Sequence, residues 1–215
     1  MPDETHCPLC IGLELFDYGS DRRRRYLQCL NCKLVFVPAA YHLSADEERA
    51  VYDLHENGED DPGYRRFLSR FAQPLLARLP PAAQGLDFGC GPGPALARML
   101  REAGCSVALY DPFYAPDARV LSRQYDFVAA TEVVEHLYRP GHELARLWSL
   151  LKPGGWLACM TKLVRNRKAF ERWHYRNDPT HVCFFSEATW RWWGGQQGVE
   201  PEFIGADVIL LRKPL

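Results

Sequence analysis

The sequence has no long apolar run and no excess of charge of either sign. None of its 215 residues lies in a stretch of about twenty apolar residues, the length that a helix needs to cross a bilayer. Lysine and arginine number 26 against 27 acids, a net charge of −1. The start, Met1-Pro2-Asp3-Glu4, lacks the basic and then apolar order of a secretory signal. We therefore expect a cytoplasmic protein without a membrane span that does not bind nucleic acid by bulk charge.

Internal repeats and low-complexity tracts are also missing. The length suits one α/β domain of ordinary size with a small appendage. Four of the eight cysteines stand singly, and the other four form two CxxC pairs.

These CxxC pairs, separated by eighteen residues, are Cys7-Cys10 and Cys29-Cys32. The spacing is typical of a four-thiolate zinc ribbon, and about forty residues have too little core to be stable without a metal or disulfides. We therefore predict a ribbon at residues 1–43 with a structural zinc ion on Cys7, Cys10, Cys29 and Cys32. Redox or disulfide pairing and coincidental core cysteines are the alternatives. Four thiolates leave no open position, which argues against a catalytic metal.

Residues 44–63 carry eight acids against one arginine. This composition predicts a solvated acidic linker, or a lid, between the ribbon and the rest of the chain.

Residues 86–94, Leu-Asp-Phe-Gly-Cys-Gly-Pro-Gly-Pro, have the pattern of a buried strand that breaks into glycines and opens onto a helix. Alternating glycines let the backbone turn sharply and let a ligand approach main-chain amides. Asp111 follows Gly93 by eighteen positions, after the apolar run 107–110. A second parallel strand would place this carboxylate beside the ribose of a bound nucleoside.

Two further segments complete the pattern. A third strand at 125–131 precedes Glu-Val-Val-Glu-His-Leu at 132–137, and Leu-Leu-Lys-Pro-Gly-Gly-Trp-Leu occupies 150–157. Together with the Asp-x-Gly-x-Gly-x-Gly cluster, these segments resemble the class I S-adenosylmethionine-dependent methyltransferases. The resemblance covers about residues 64–212. It implies an enzyme whose domain at 64–215 has a Rossmann-like, doubly wound α/β fold.

The resemblance also implies a cofactor site at the carboxyl ends of the strands. The glycines would approach the amino-acid portion of S-adenosylmethionine, Asp87 would anchor its amino group, and Asp111 would bind the ribose hydroxyls. Thr131 and Glu132 would line the pocket. The full predicted set is Asp87, Gly89, Cys90, Gly91, Gly93, Asp111, Pro112, Thr131 and Glu132.

One departure from the family concerns the second half of the sheet. Asp126 follows Asp111 by fifteen positions, too few for the usual helix, third strand and further helix. We expect the sheet to be abbreviated between its second and fourth strands, without the acidic residue that often contacts adenine. The segments 202–204 and 207–211 fit the antiparallel pair that closes such a sheet.

The methyl acceptor must lose a proton, which requires a base within hydrogen-bond reach. His181 lies in Asp-Pro-Thr-His-Val-Cys-Phe-Phe-Ser at 178–186, which resembles a segment of bacterial zinc-ribbon methyltransferases, including sugar-modifying enzymes. We predict His181 as this base or as a ligand of the acceptor. The alternative is a structural histidine that holds its loop in place by hydrogen bonds. His136 is interpreted as structural.

Basic and aromatic side chains alternate between residues 162 and 176. They suit a nucleotide-linked sugar or an RNA loop, and a solvated basic loop is the alternative. The Arg22–Arg25 run would extend an RNA surface or form an exposed hairpin tip. We predict methyl transfer to a small polar metabolite. RNA methylation is one alternative. A non-catalytic, S-adenosylmethionine-binding regulatory protein is another, which the short segment after Asp111 keeps open.

Overall fold

The computed structural model describes residues 6–54, 58 and 60–215. The start Met1-Pro2-Asp3-Glu4 and linker positions 55–57 and 59 lie outside the described residues. The chain forms two compact units. The first unit comprises the described residues of Met1–Asp53, Val134–Ala145 and Thr161–Glu200; the second comprises those of Leu54–Val133, Arg146–Met160 and Pro201–Leu215.

The elements follow one another along the chain with short connections. The strands are β1 (Leu15–Ser20), β2 (Arg25–Cys29), β3 (Val35–Phe36), β4 (Gln84–Phe88), β5 (Ser106–Tyr110), β6 (Tyr125–Thr131), β7 (Leu151–Met160), β8 (Cys183–Phe184), β9 (Glu202–Ile204) and β10 (Val208–Arg212). The α-helices are α1 (Ala45–Tyr52), α2 (Pro62–Leu76), α3 (Ala95–Glu102), α4 (Pro140–Ser149), α5 (Arg167–Glu171) and α6 (Glu187–Gln196). No helix in the described part of the chain is long and apolar enough to cross a membrane.

The second unit is built on a six-stranded sheet with the order β5-β4-β6-β7-β10-β9. Its first four strands are parallel, whereas β10 runs antiparallel to both β7 and β9. The predicted α/β class and the closing antiparallel pair are both confirmed. In β7, the Pro-Gly-Gly segment at 153–155 shifts the register against β6, because Tyr125 pairs with Leu151 but Phe127 already pairs with Trp156.

The expected abbreviation of the sheet is confirmed. Between β5 and β6 the chain forms only a short 3₁₀ helix, Ala118–Ser122. β5 therefore lies at one edge of this sheet, next to β4.

The core of the second unit follows from the sequence pattern. β6 carries four consecutive buried residues, 127–130, as expected for a central parallel strand covered on both faces. Phe127 packs so closely over β4 that a Cβ added at Gly85 would overlap its ring. From α2, Phe71 and Leu75 add fully buried side chains to the same core. Truncation of a buried phenylalanine such as Phe127 costs about 3–5 kcal/mol.

The first unit has a four-stranded antiparallel sheet with the order β1-β2-β3-β8. Its last strand comes from far along the chain, since Val35 of β3 pairs with Phe184 of β8. The amide of Val37 extends this pairing by donating to the carbonyl of Val182 at 2.8 Å. The strands that follow the cysteines thus share a sheet with the segment that contains His181.

Part of the predicted acidic linker is ordered as α1. Ser44 and Glu47 form a capping box at its N-terminus, and Glu48 is buried. The Glu48 carboxylate accepts hydrogen bonds from the hydroxyls of Tyr52 at 2.6 Å and Tyr138 at 3.1 Å. Glu48 therefore stabilises the first unit from within and does not lie on a solvated surface.

Candidate functional site

The glycine turn predicted from the sequence lies directly after β4. Gly89 and Gly91 have φ values of +73° and +63°, in the left-handed region that favours glycine. The amide of Gly89 donates to the carbonyl of Tyr110, at the end of β5, at 2.8 Å. This bond ties the turn to the neighbouring parallel strand.

The two glycines serve different purposes. A Cβ added at Gly89 would overlap the side chain of Val133, whereas a Cβ at Gly91 would meet no atom within 4 Å. Gly89 is therefore required by internal packing. The main chain at Gly91 faces open space, as approach by a ligand requires.

Asp111 joins the glycine turn to the loop after β5. Its Oδ2 accepts a hydrogen bond from the amide of Gly91 at 3.0 Å. Its Oδ1 accepts two more, from the amides of Phe113 at 2.8 Å and Tyr114 at 3.1 Å. A carboxylate has about four acceptor positions, so a position on Oδ2 stays compatible with a ligand hydroxyl. The sequence pattern did not predict these three backbone contacts.

Asp87, on β4, is 2% exposed. Burial raises its pKa to about 7, Asp111 adds to this rise, and the Ala97 amide and Arg101 oppose it. Burial likewise raises the pKa of the Cys90 thiol to about 12, with contributions from Asp87 and Asp111. At neutral pH Cys90 is thus a thiol rather than a nucleophilic thiolate.

The carboxyl end of β6 supplies Thr131 and Glu132. Glu132 has a φ of +52°, a strained backbone conformation for a residue with a side chain, and such strain is frequent at functional sites. Its amide donates to the carbonyl of Met160 at the end of β7 at 2.8 Å. Tyr64 of α2 is half-buried, which raises its pKa, and the charges of Asp87 and Glu132 raise it further. Tyr64 is thus a site neighbour that helical periodicity alone did not reveal.

The predicted cofactor residues of the second unit converge, because β5, β4 and β6 are adjacent and parallel. Open α/β sheets bind ligands at this carboxyl edge. Gly93, Thr131 and Glu132 are half-buried there, whereas Pro112 is exposed.

The four predicted metal ligands meet in the first unit. The sulfur atoms of Cys7, Cys10, Cys29 and Cys32 all lie within 4.8 Å of one another. Cys7 and Cys32 are 3.5 Å apart, and Cys10 and Cys29 are 3.4 Å apart. Sulfurs bound tetrahedrally to zinc are about 3.8 Å apart, so the arrangement is compatible with a small zinc ribbon.

The two CxxC turns have the same geometry. Ile11 and Lys33, each directly after the second cysteine, have φ values of +59° and +63°. Their amides donate to the carbonyls of Cys7 and Cys29 at 2.9 and 3.0 Å. Two matched turns therefore present their sulfurs to one centre.

His181 is 7% exposed, in the loop before β8. Its Nδ1 hydrogen-bonds to the carbonyl of Tyr175 at 2.7 Å, and a carbonyl can only accept, so Nδ1 carries the proton. Burial lowers the pKa of His181, although Asp178 and this carbonyl oppose the effect. The imidazole is thus neutral at neutral pH.

Arg24 holds the loop that precedes His181. Its guanidinium donates to the carbonyls of Arg176 at 2.7 Å, Asp178 at 2.6 Å and Pro179 at 3.0 Å. Arg24 is only 6% exposed. The interpretation of the whole Arg22–Arg25 run as an exposed tip or RNA surface is therefore wrong for Arg24, because its charge is used inside the unit.

The aromatic residues of the basic segment are also largely internal. Phe170 and Tyr175 are 1% and 6% exposed. The ring of Phe170 packs against Tyr18, Tyr26 and Phe184 with centroid distances of 5.0 to 5.3 Å. These two rings form core, so the expected ring-recognition surface does not include them.

Comparison with protein families decides the assignment of the chain. The family model described as a methyltransferase domain matches residues 62–202. The chain belongs to the methyltransferase-domain family. This match runs from the start of α2 to β9 and so contains every residue of the glycine turn and of the predicted strand-end site.

Solved structures share the fold of this methyltransferase. The Burkholderia thailandensis 1,6-didemethyltoxoflavin-N1-methyltransferase, with bound 1,6-didemethyltoxoflavin and S-adenosylhomocysteine, has 18% identity and a TM-score of 0.57, over 86% of this chain and 98% of that one. Human N-acetylserotonin methyltransferase with S-adenosylmethionine has 15% identity and a TM-score of 0.51, over 80% of this chain and 57% of that one. A complex between the Haloferax volcanii Trm112 methyltransferase activator and a putative methyltransferase has 14% identity and a TM-score of 0.50, over 80% of this chain and 100% of that one. No curated protein matched by sequence.

Proposed function

We propose that this methyltransferase transfers the methyl group of S-adenosylmethionine to a small polar metabolite in the cytoplasm, with a nucleotide-linked sugar as the leading acceptor class. One observation carries the cofactor assignment. An open glycine main chain at Gly91 and the buried carboxylates of Asp87 and Asp111 meet at the carboxyl edge of a parallel sheet. Related folds with S-adenosylmethionine or S-adenosylhomocysteine bound support the choice.

The residues present fit the cofactor chemically. Its ribose offers hydroxyl donors for Oδ2 of Asp111, and its positively charged groups suit the carboxylates of Asp87 and Glu132. The half-buried turn residues Gly89, Cys90 and Gly93 and the exposed Pro112 complete the proposed binding set with Gly91 and Thr131. When bound, the cofactor supplies a methyl group on a sulfonium that a nucleophile can displace.

We propose His181 as the residue that serves the acceptor. Its neutral imidazole is fixed by the Tyr175 carbonyl. Its Nε2 atom is thus presented as a base for the proton of the methyl acceptor or as a ligand of that acceptor. Positioning by such a fixed group lowers the entropic cost of reaction.

A structural zinc ion is proposed for the cysteine cluster. The matched CxxC turns and the four mutually close sulfurs support tetrathiolate coordination. Zinc would bind all four sulfurs as thiolates and release their protons.

A small acceptor is favoured over RNA. Binding to RNA depends on many exposed cations and stacking rings. The net charge is −1, and Arg24, Phe170 and Tyr175 are buried.

The test is turnover of labelled S-adenosylmethionine by the full chain with extracts of nucleotide-linked sugars and with total RNA. We expect label in the small-molecule fraction, and much less with His181→Ala than with the control His174→Ala, a neighbouring exposed histidine. Label in RNA would support the alternative acceptor. Cofactor binding without any turnover would contradict enzymatic methyl transfer.

A further inference from the structure

A second cluster of metal-ligating side chains lies in the first unit, apart from the cysteines. Glu135, His136 and His181 each offer one ligand atom, and these atoms lie within 4.8 Å of one another. Glu135 is fully buried, His181 is 7% exposed and His136 is half-buried. The rings of His136 and His181 are in edge contact, with centroids 4.7 Å apart.

Both imidazoles are oriented through the same nitrogen. Nδ1 of His136 lies 3.3 Å from the carbonyl of Thr180, and Nδ1 of His181 lies 2.7 Å from that of Tyr175. Because carbonyls only accept, Nδ1 carries the proton in each ring and Nε2 keeps its lone pair. Metal-bound histidines usually have this second contact, which fixes the tautomer.

The carboxylate of Glu135 is oriented in a comparable way. The hydroxyl of Tyr175 donates a hydrogen bond to Oε1 of Glu135. The same hydroxyl lies 3.3 Å from Oγ1 of Thr161. Tyr175 therefore positions two members of the cluster, Glu135 through its hydroxyl and His181 through its carbonyl.

The charges near the cluster include both signs. The carboxylate of Asp178 lies 3.9 Å from Nε2 of His181, while Arg24 and Lys162 are close enough to disfavour a protonated His181. Arg24 is engaged with loop carbonyls. A divalent ion would be balanced by the carboxylates of Glu135 and Asp178.

We propose that Glu135, His136 and His181 bind one divalent first-row transition-metal ion. Ligand atoms on tetrahedral metal–ligand bonds of about 2.1 Å lie about 3.4 Å apart, so atoms that now lie within 4.8 Å of one another need to close by at most about 1.4 Å. Two imidazoles and a carboxylate suit zinc and its neighbours rather than magnesium, which prefers oxygen ligands.

Three protein ligands leave positions open on such an ion, unlike the closed cysteine site. These positions take water or an oxygen donor of a small molecule. His136 is then a ligand, not the structural residue that the sequence pattern favoured. Where our proposed function also holds, His181 serves the acceptor through the ion and not as a free base.

The test counts zinc in the full chain after dialysis against excess zinc and desalting. We expect two zinc ions per chain in the wild type, one on the cysteines, and only one in Glu135→Gln and His136→Ala. His142→Ala is the matched control, because His142 also adjoins a glutamate but forms an exposed pair with it; it should keep two. A wild type with one ion or none, or two ions retained by both variants, would overturn the proposal.

A measurement on the wild type covers variants that do not fold. Cobalt added to wild type that carries one equivalent of zinc, which the four thiolates bind first, should give visible d–d bands without the thiolate charge-transfer band, whereas a spectrum without d–d bands overturns the site. Both measurements omit S-adenosylmethionine and acceptor. The two proposals are therefore tested independently. The metal site can be refuted while methyl transfer is observed, and it can be confirmed while no methyl transfer is observed.

Discussion

The carboxylate of Asp111 accepts a hydrogen bond from the amide of Gly91 at 3.0 Å. This contact fixes the open part of the glycine turn. In Asp111→Asn, the amide oxygen can still accept from Phe113 and Tyr114, but its NH₂ group would face the Gly91 donor. We expect affinity for S-adenosylmethionine to fall at least about tenfold and the free energy of unfolding to fall by about 1–3 kcal/mol, as measured by calorimetry and urea titration.

Asp117→Asn is the matched control for this substitution. Asp117 also accepts from a backbone amide, that of Arg119 at 3.0 Å, but lies further along the loop. Unchanged cofactor affinity in Asp111→Asn, or an equal loss in Asp117→Asn, would contradict the assignment.

The raised pKa of Asp87 predicts a pH dependence. Burial holds its pKa at about 7 instead of 3.8, so between these values the folded chain binds more protons at this site than the unfolded chain. This contribution to the free energy of unfolding therefore declines as pH rises from about 4 to about 7. A cationic cofactor favours the carboxylate, so affinity should increase between about pH 6 and pH 8.

Calorimetry across this pH range in wild type and Asp87→Asn measures the effect. We expect the slope to flatten in the variant, which cannot ionise. The charged or titratable neighbours of Asp87 are unchanged in both proteins; they are Arg101, Asp111, Tyr64 and Cys90. An identical slope in the variant would refute the role of Asp87.

Substitution of the two positive-φ glycines of the turn should have different effects on stability and on cofactor affinity. Gly89→Ala would combine backbone strain with overlap on Val133, and we expect a loss of about 3 kcal/mol in the free energy of unfolding. Gly91→Ala should lose about 1 kcal/mol from strain alone but at least about tenfold in cofactor affinity. Each variant is the other's control in urea titration and calorimetry. Equal effects on stability and binding would show that the glycines are equivalent.

Loss of one cysteine ligand predicts loss of the proposed structural zinc. We expect Cys29→Ser to contain one zinc fewer than wild type and to lose hydrogen-exchange protection in β2 and β3. Cys105→Ser, in the second unit, is the control and should retain both. Full protection in a Cys29→Ser protein that has lost this zinc would contradict a structural role for the metal.

The buried guanidinium of Arg24 predicts a local effect on the 176–181 loop. Arg24→Ala removes the donors to three carbonyls, and we expect the free energy of unfolding to fall by about 3 kcal/mol. Arg24→Lys keeps the charge without the planar donor geometry and should recover only part of it. Hydrogen exchange of the loop amides measures the change, with the exposed Arg23→Ala as control. Unaltered exchange in Arg24→Ala would show that the loop is held by other contacts.

Much of the second unit was predictable because its signals are local. The glycine turn, the apolar run ending at Asp111 and the short distance to Asp126 all lie between residues 86 and 126. They correctly predicted parallel strands and an abbreviated sheet. The segments 202–204 and 207–211 correctly predicted the terminal antiparallel pair. The convergence of Asp87, Gly91 and Asp111 follows from parallel strands that end at the same edge.

The first unit was less predictable because its contacts join distant parts of the chain. β3 and β8 have two residues each, too few for a periodic pattern, and their pairing connects Val35 with Phe184. Arg24 stands in a run of four arginines, which resembles an exposed tip. Acidic composition likewise concealed α1, since burial of Glu48 depends on the hydroxyls of Tyr52 and Tyr138.

The pairing of β3 with β8 has a consequence for dissection of the chain. A shortened protein beginning after residue 43 would leave Cys183 and Phe184 with an open strand edge and would lose the guanidinium that anchors the preceding loop. Such a fragment would be prone to edge-to-edge association. Loss of activity in this fragment would therefore reflect damage around His181. It would not show that the removed residues form a separate functional module.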